Sequence, residues 1–364
     1  MFQKEVNTMA LNKNLTYGII AAIIIAVFII GIVVTSSAGS KVTTATTPLP
    51  PPTPTEIKAV GTTPVAAGTI VSQATPPVSQ VSGTITLSGA FALYPLAVVW
   101  ADEYKKTHPN VKIEVSAGGA GKGMSDTLGG LVDIGMVSRA ISDTEIQKGA
   151  YPIPVTKDAV VPVINAKNPV VKEIQAKGIS QSTWKKIYID RTVLNWGEVG
   201  GRPEITDKIH LFTRSDSSGA ADIWALYVGG KAQANLRGIG VFGDPGLLSE
   251  VQKDQLGVGF NNINYAYDAK TGLPVAGVVI PPFILNDNTV LDISTKEKAV
   301  AAIKSQTFPH PPARVEYFVT KGKPTGVTAD FIKWTLTDGQ KFVDANGYIE
   351  LPSDAIASSL QKVA

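Results

Sequence analysis

Three short stretches carry the groups that could hold a small anion. They are Ala117-Gly118-Gly119-Ala120-Gly121-Lys122-Gly123, then Ser138-Arg139, then Arg214-Ser215-Asp216-Ser217-Ser218-Gly219. Glycine lets backbone approach a ligand because it has no Cβ. A loop that opens a helix offers unpaired N–H groups and the positive end of the helix dipole. Arginine adds a forked, charge-assisted donor. Each feature also has a plainer reading. A Gly-rich turn can be a tight strand–helix connection, either arginine can be half of a salt bridge, and Ser218 can be an N-cap. Asp216 has two readings: it accepts a hydrogen bond from an anion that still carries a proton, which would reject unprotonated sulfate, or it pairs with Arg214.

The surrounding pattern shows how these groups would be positioned. Thr84–Leu87 alternates with the period of a strand, and Tyr94-Pro95 opens a helix from Leu96 to Lys106. Val111–Val115 reads as a strand, followed by the Gly-rich loop and a helix through Leu131. Asp133–Val137 and Ile209–Thr213 are further strands, the second leading to a helix from Ala220 to Val228. A strand, a Gly- or Ser-rich loop and a helix thus recur three times. This predicts an α/β class with largely parallel sheets. Ligands in such sheets sit at the carboxyl ends of the strands, where all three loops fall.

Composition narrows the functions available. The chain has 364 residues, enough for two or three folding units, and a net charge of only +3. No strongly basic face is expected, so nucleic acid is not an expected partner. There is no cysteine, which removes disulfides, thiol nucleophiles and Cys-based zinc sites. GxxxxGK[ST] is absent, and the three histidines, His108, His210 and His310, lie far apart. No nucleophile–base pair or carboxylate metal cluster stands out, so no catalytic residue, metal or cofactor is assigned.

Tyr17–Val34 is an uninterrupted apolar run of the length that spans a bilayer, preceded by Lys4 and Lys13. Residues 1–34 are therefore expected to be a transmembrane anchor or a signal segment cleaved near Ser36-Ser37-Ala38, with the remainder outside the cytoplasm. Residues 35–81, dominated by Thr, Pro and Ser around Pro48-Leu49-Pro50-Pro51-Pro52-Thr53-Pro54, are expected to be a disordered, extended tether.

From residue 83 to about 352 the motifs come in the order of a known family. Tyr94-Pro95-Leu96 with Trp100, Gly118–Gly123, Val132-Asp133-Ile134-Gly135-Met136-Val137-Ser138-Arg139, Asn195-Trp196-Gly197-Glu198-Val199-Gly200-Gly201, Arg214–Gly219, and the closing Tyr317–Gly322 and Gly347-Tyr348-Ile349 carry the likeness. Together the chain resembles the substrate-binding proteins of phosphate ABC transporters, a branch of the type II periplasmic binding proteins. The resemblance implies a two-lobe α/β fold, with lobe 1 at 82–165 plus 308–364 and lobe 2 at 166–307. It implies a monomer that closes on phosphate or a related oxyanion, docks on an ABC transporter permease and stays at the membrane through its N-terminal helix.

Site residues carry over by motif. Ser138, Arg139, Arg214, Asp216, Ser218 and Gly219 match, joined by the backbone N–H groups of Leu93, Tyr94 and Gly121. The departures also fall here: Ala90, Phe91 and Ala92 stand where Ser or Thr is usual, Ala120 takes the ligand serine's place, and Ala220 follows Gly219. Nearby Lys122 could restore charge. An alternative follows from those losses, a surface-anchored scaffold or interaction protein whose ligand site has degenerated; a cleft plugged by Phe91 would favour it.

Overall fold

The computed structural model describes residues 80–364. The anchor expected over 1–34, and all of the expected tether except its last two residues, lie outside the described residues. Among the described residues no helix is long and apolar enough to cross a membrane.

Strand β1 (Gly83–Gly89) feeds helix α1 (Tyr94–Thr107), with Pro95 in its first turn. Strand β2 (Val111–Ala117) feeds α2 (Ala120–Leu128), and β3 (Ile134–Val137) follows. The long strand β4 (Ala150–Asn165) then leads away. Strand β5 (His210–Arg214) precedes α3 (Gly219–Tyr227), and β6 (Ile239–Val241) precedes α4 (Gly243–Lys253). Strand β7 (Gly257–Asn262) and the late strand β8 (Ala313–Lys321) complete the main sheet.

Two expectations about these elements are corrected. The Gly-rich loop is shorter than the glycines suggest, because α2 begins at Ala120 and takes Gly121 and Gly123 into its first turns. That helix ends at Leu128, where Gly129 and Gly130 stop it, rather than running to Leu131. The sheet is also mixed rather than largely parallel. Its order is β2-β1-β3-β8-β4-β7-β5-β6. The β1–β2, β1–β3, β5–β7 and β5–β6 pairs are parallel, whereas β3–β8, β8–β4 and β4–β7 are antiparallel. The antiparallel centre arises because β4 and β8 are long crossing strands that pass between two cores.

Those cores are distinct. One gathers Ile85, Leu87, Leu96, Trp100, Met136, Phe318 and Phe331. The other gathers Trp184, Tyr188, Trp224, Phe260 and Phe283, with Trp184 and Trp224 meeting edge to face at 5.6 Å. Strand β4 gives Ile153 and Val155 to the first core and Val160, Val161 and Val163 to the second. Strand β8 likewise gives Phe318 to one and Ala313 to the other. The result is a two-lobed α/β molecule.

A buried ionic cluster sits where the two strands cross. Arg314 grips Asp158 with Nε at 2.7 Å and Nη2 at 3.0 Å, and Glu316 lies 3.8 Å away from Nη2. Arg314 is 3% exposed, and Asp158 and Glu316 are 0% exposed. Burial first, and then the charge of Asp158, push the Glu316 carboxyl well above the usual carboxylate range, against the pull of Arg314.

Candidate functional site

The loops singled out by their chemistry meet at one seam between the lobes. Loop 90–93 leaves β1, Gly118-Gly119 leaves β2, Ser138-Arg139 leaves β3, and 215–218 leaves β5. Gly119 holds a positive φ of +95°, and a Cβ there would lie 2.6 Å from Asp216 Oδ2 and 2.7 Å from the Ser217 carbonyl. Only a residue without a side chain fits that approach. Gly219 faces Ser138 in the same way, since a Cβ on it would lie 2.5 Å from the Ser138 carbonyl. The seam is also stitched by hydrogen bonds. The Gly121 N–H donates to the Ser217 carbonyl at 3.0 Å, and the Tyr265 hydroxyl to the Phe91 carbonyl at 3.2 Å.

Arg214 is the centre of the site. Its Nε and Nη2 donate to the two oxygens of Asp216 at 2.8 and 2.7 Å, and Nη1 donates to Asp244 at 2.5 Å. Asp244 is fixed in turn by the N–H and side-chain amide of Asn262, at 3.2 and 2.7 Å. Burial alone would lower the Arg214 guanidinium, but Asp244 and then Asp216 more than offset this and hold it above its ordinary value. Of the two sequence readings of Asp216, its side chain here takes the pairing with Arg214. Three of the five guanidinium N–H groups are thereby engaged. The Phe91 ring covers the same group, its centroid 5.2 Å from Arg214 Cζ, and packs edge-on against Phe242 at 5.7 Å. A Cβ on Gly243 would lie 2.9 Å from that ring.

Arg139 stands at the edge of the seam. Its Nη1 and Nη2 bind Glu145 at 3.0 and 2.7 Å, and its Nε is 3.7 Å from Asp222 on α3. Asp222 accepts the Gln233 N–H, and the Gln233 amide donates to the Arg214 and Asp216 carbonyls. The Arg139–Asp222 ion pair thus joins the two arginines' surroundings, but each arginine spends its fork on carboxylates. Ser218 caps α3, accepting from the Ala221 N–H at 3.3 Å, while its own N–H donates to Gln233. Ser138 is buried beside Gly219.

The backbone donors expected from the first two loops have partners within the protein. The Leu93 and Tyr94 N–H groups donate to the Ala90 carbonyl, both at 3.2 Å, and Gly121 donates to Ser217. Ala120 is buried at the start of α2 and offers no hydroxyl. Lys122 does not restore charge at the seam, because it pairs with Asp126 one turn along its own helix.

Asp244, Gln233, Asp222, Glu145 and Tyr265 are contributors the sequence reading missed. Asp244 had a usable signal. Ile239–Val241, Phe242-Gly243 and the helix after it form a fourth strand, glycine and helix unit. Asp222 lies on α3, which the Arg214–Gly219 motif opens, and Glu145 closes a capping box with Ser142, but neither spacing announces an arginine partner.

Gly219→Ala tests how tightly the seam is built. Gly219 is the first residue of α3 after the Ser218 cap, where the helix-propensity advantage of alanine is smaller than in a helix interior. The added methyl must displace Ser138. The expected result is a lowered unfolding midpoint, since overpacking of this kind costs about 1–3 kcal/mol, together with a more open particle in small-angle scattering.

Comparison with known proteins places this geometry. Residues 74–339 match the family described as the PBP superfamily domain. The phosphate-binding protein PstS of Bacillus subtilis strain 168 is 29% identical over 276 residues, covering 74% of this chain and 81% of its own length. The protein of the same name from Methanocaldococcus jannaschii is 28% identical, covering 77% of this chain and 86% of its own. Among solved structures, one named as a phosphate ABC transporter substrate-binding protein with bound phosphate, from Clostridium perfringens, superposes with a TM-score of 0.61 at 24% identity. It covers 74% of this chain and 100% of its own. At that identity the superposition speaks for the fold.

Proposed function

Since this chain belongs to the PBP superfamily, we propose that it captures phosphate, or a similar oxyanion, outside the cytoplasm and delivers it to an ABC transporter permease. The observation that carries this reading is the seam itself. Loops from both lobes converge there on buried Arg214, with the N-terminal ends of α2 and α3 at the same place. The names of the curated relatives, phosphate-binding proteins, support the choice of anion.

In this reading lobe 1 is 82–165 with 308–364 and lobe 2 is 166–307. Residues 1–34 hold the protein at the membrane or are removed as a signal, and 35–81 are the tether. Ser138, Ser218 and the backbone of 120–121 and 219 line the anion, with Arg139, Arg214 and Asp216 setting its charge and protonation state. The lobes close by hinge motion, biased by the ligand's preference for the closed form. The protein acts as a monomer, and no catalysis is involved.

The test is calorimetric titration of the full-length chain in detergent with phosphate, sulfate, molybdate and tungstate. Phosphate is expected to bind and sulfate to bind far more weakly. Heat from none of the four removes the receptor reading. One observation favours a second reading: the Phe91 ring lies on the guanidinium that an anion would need. In that reading the fold serves as a tethered surface scaffold, and the titrations are silent.

A further inference from the structure

A cavity of about 510 Å³ lies against the crossing strands, and its lining includes none of the seam residues. Lys157 of β4 and Arg314 of β8 line it, together with His310. Ile303, Phe308 and Ala313 supply an apolar wall. We propose that this cavity binds a small organic anion, with a carboxylate or phosphate head on a short apolar body.

The case begins with unspent donors. Arg314 gives Nε and Nη2 to Asp158 and Nη2 also to Asn262, but its Nη1 is buried without a hydrogen-bond partner. That nitrogen is sealed even from water, so it adds positive charge to the cavity wall, and the donors a ligand can reach are those of Lys157 and His310. Among the described residues the side chains of Lys157 and His310 take part in no ion pair or hydrogen bond. Asp158 offsets the charge of Arg314, which grips it with both prongs, so among the described residues lining the cavity the cation left without a partner is Lys157. The cavity therefore combines an excess of positive charge with a hydrophobic flank. Its volume is that of ordinary small-molecule sites, where a few polar groups orient a mainly apolar ligand. Inorganic phosphate alone would leave the apolar wall unused. The inference stands apart from the seam and does not depend on what the seam binds.

The experiment titrates the full-length chain in detergent with hexanoate and, separately, with phenyl phosphate. At least one is expected to bind one-to-one, and which one binds identifies the head group. A Lys157→Gln/His310→Gln double variant is expected to weaken that binding by about tenfold or more, as the loss of charge-assisted hydrogen bonds does. The single His310→Gln variant alters an exposed side chain and so keeps the fold; it is expected to weaken binding by a smaller factor. Two results would overturn the proposal: neither probe binds the wild type, or both cavity variants bind it undiminished.

Discussion

Replacing Arg314 by Met is expected to destabilise the protein by about 3–5 kcal/mol, the usual cost of removing one partner from a buried ion pair. The reason lies in what is left behind. Asp158 loses both prongs of its cationic partner while remaining 0% exposed. Glu316 loses the one nearby cation that favours its charged form. Urea unfolding at pH 7 measures the loss, and a change below about 1 kcal/mol would show that the cluster adds little.

The same cluster sets a pH dependence of definite sign. The folded-state Glu316 carboxyl titrates well above its ordinary value, so the native protein holds a proton that the unfolded chain releases at about pH 4.3. Its contribution is fully present below that pH and is lost as pH rises towards the folded-state value. Stability should therefore fall between mildly acidic and alkaline pH. Glu316→Gln, which keeps the neutral shape, should flatten that fall and match or exceed the wild type at pH 8. An identical slope in wild type and variant would assign the dependence to other groups.

Phe91→Ser is the change expected to do most to ligand affinity. The phenyl ring lies on Arg214 and against Gly243, so it occupies the face an anion would approach. Serine removes that cover and adds a donor. A hydrogen bond to a charged partner contributes about 1.5–3 kcal/mol, which is on the order of ten- to a hundredfold in affinity. Phosphate titration against the wild type measures it. The variant also separates the two functional readings. Tighter binding identifies Phe91 as the restraint on a working receptor, whereas silence from both proteins leaves the scaffold reading. Some stability should be lost with the Phe91–Phe242 contact, and a thermal melt records how much.

Much of this molecule was legible in its sequence because local rules determined it. Strand β1, helix α1 and strands β2 and β5 follow from period-two alternation, a proline in the first helical turn and glycine punctuation. The convergence of the loops was legible for the same reason, since strand ends in an α/β sheet share one edge. What escaped depends on partners distant in the chain. Nothing near Arg214 announces that Asp244, 30 residues on, will take its Nη1. Lys122 is the exception, because Asp126 lies four residues on and the helical spacing already offered that pairing. The antiparallel centre of the sheet was hidden because β8 begins 148 residues after β4 ends, and pairing at that separation leaves no local trace.

The hydrogen bonds that hold Arg214 run onward from Asp244 to Asn262, and Asn262 accepts from Arg314 on the crossing strands. Residues 90–92 and Ala120 supply no side chain to that chain of bonds. For anyone wishing to retune what the protein recognises, the scaffold is therefore divided usefully. One bank of the cleft is structural masonry that tolerates little editing, while on the opposite bank Phe91 is the side chain open to rewriting, its alanine neighbours being buried and without room for larger groups.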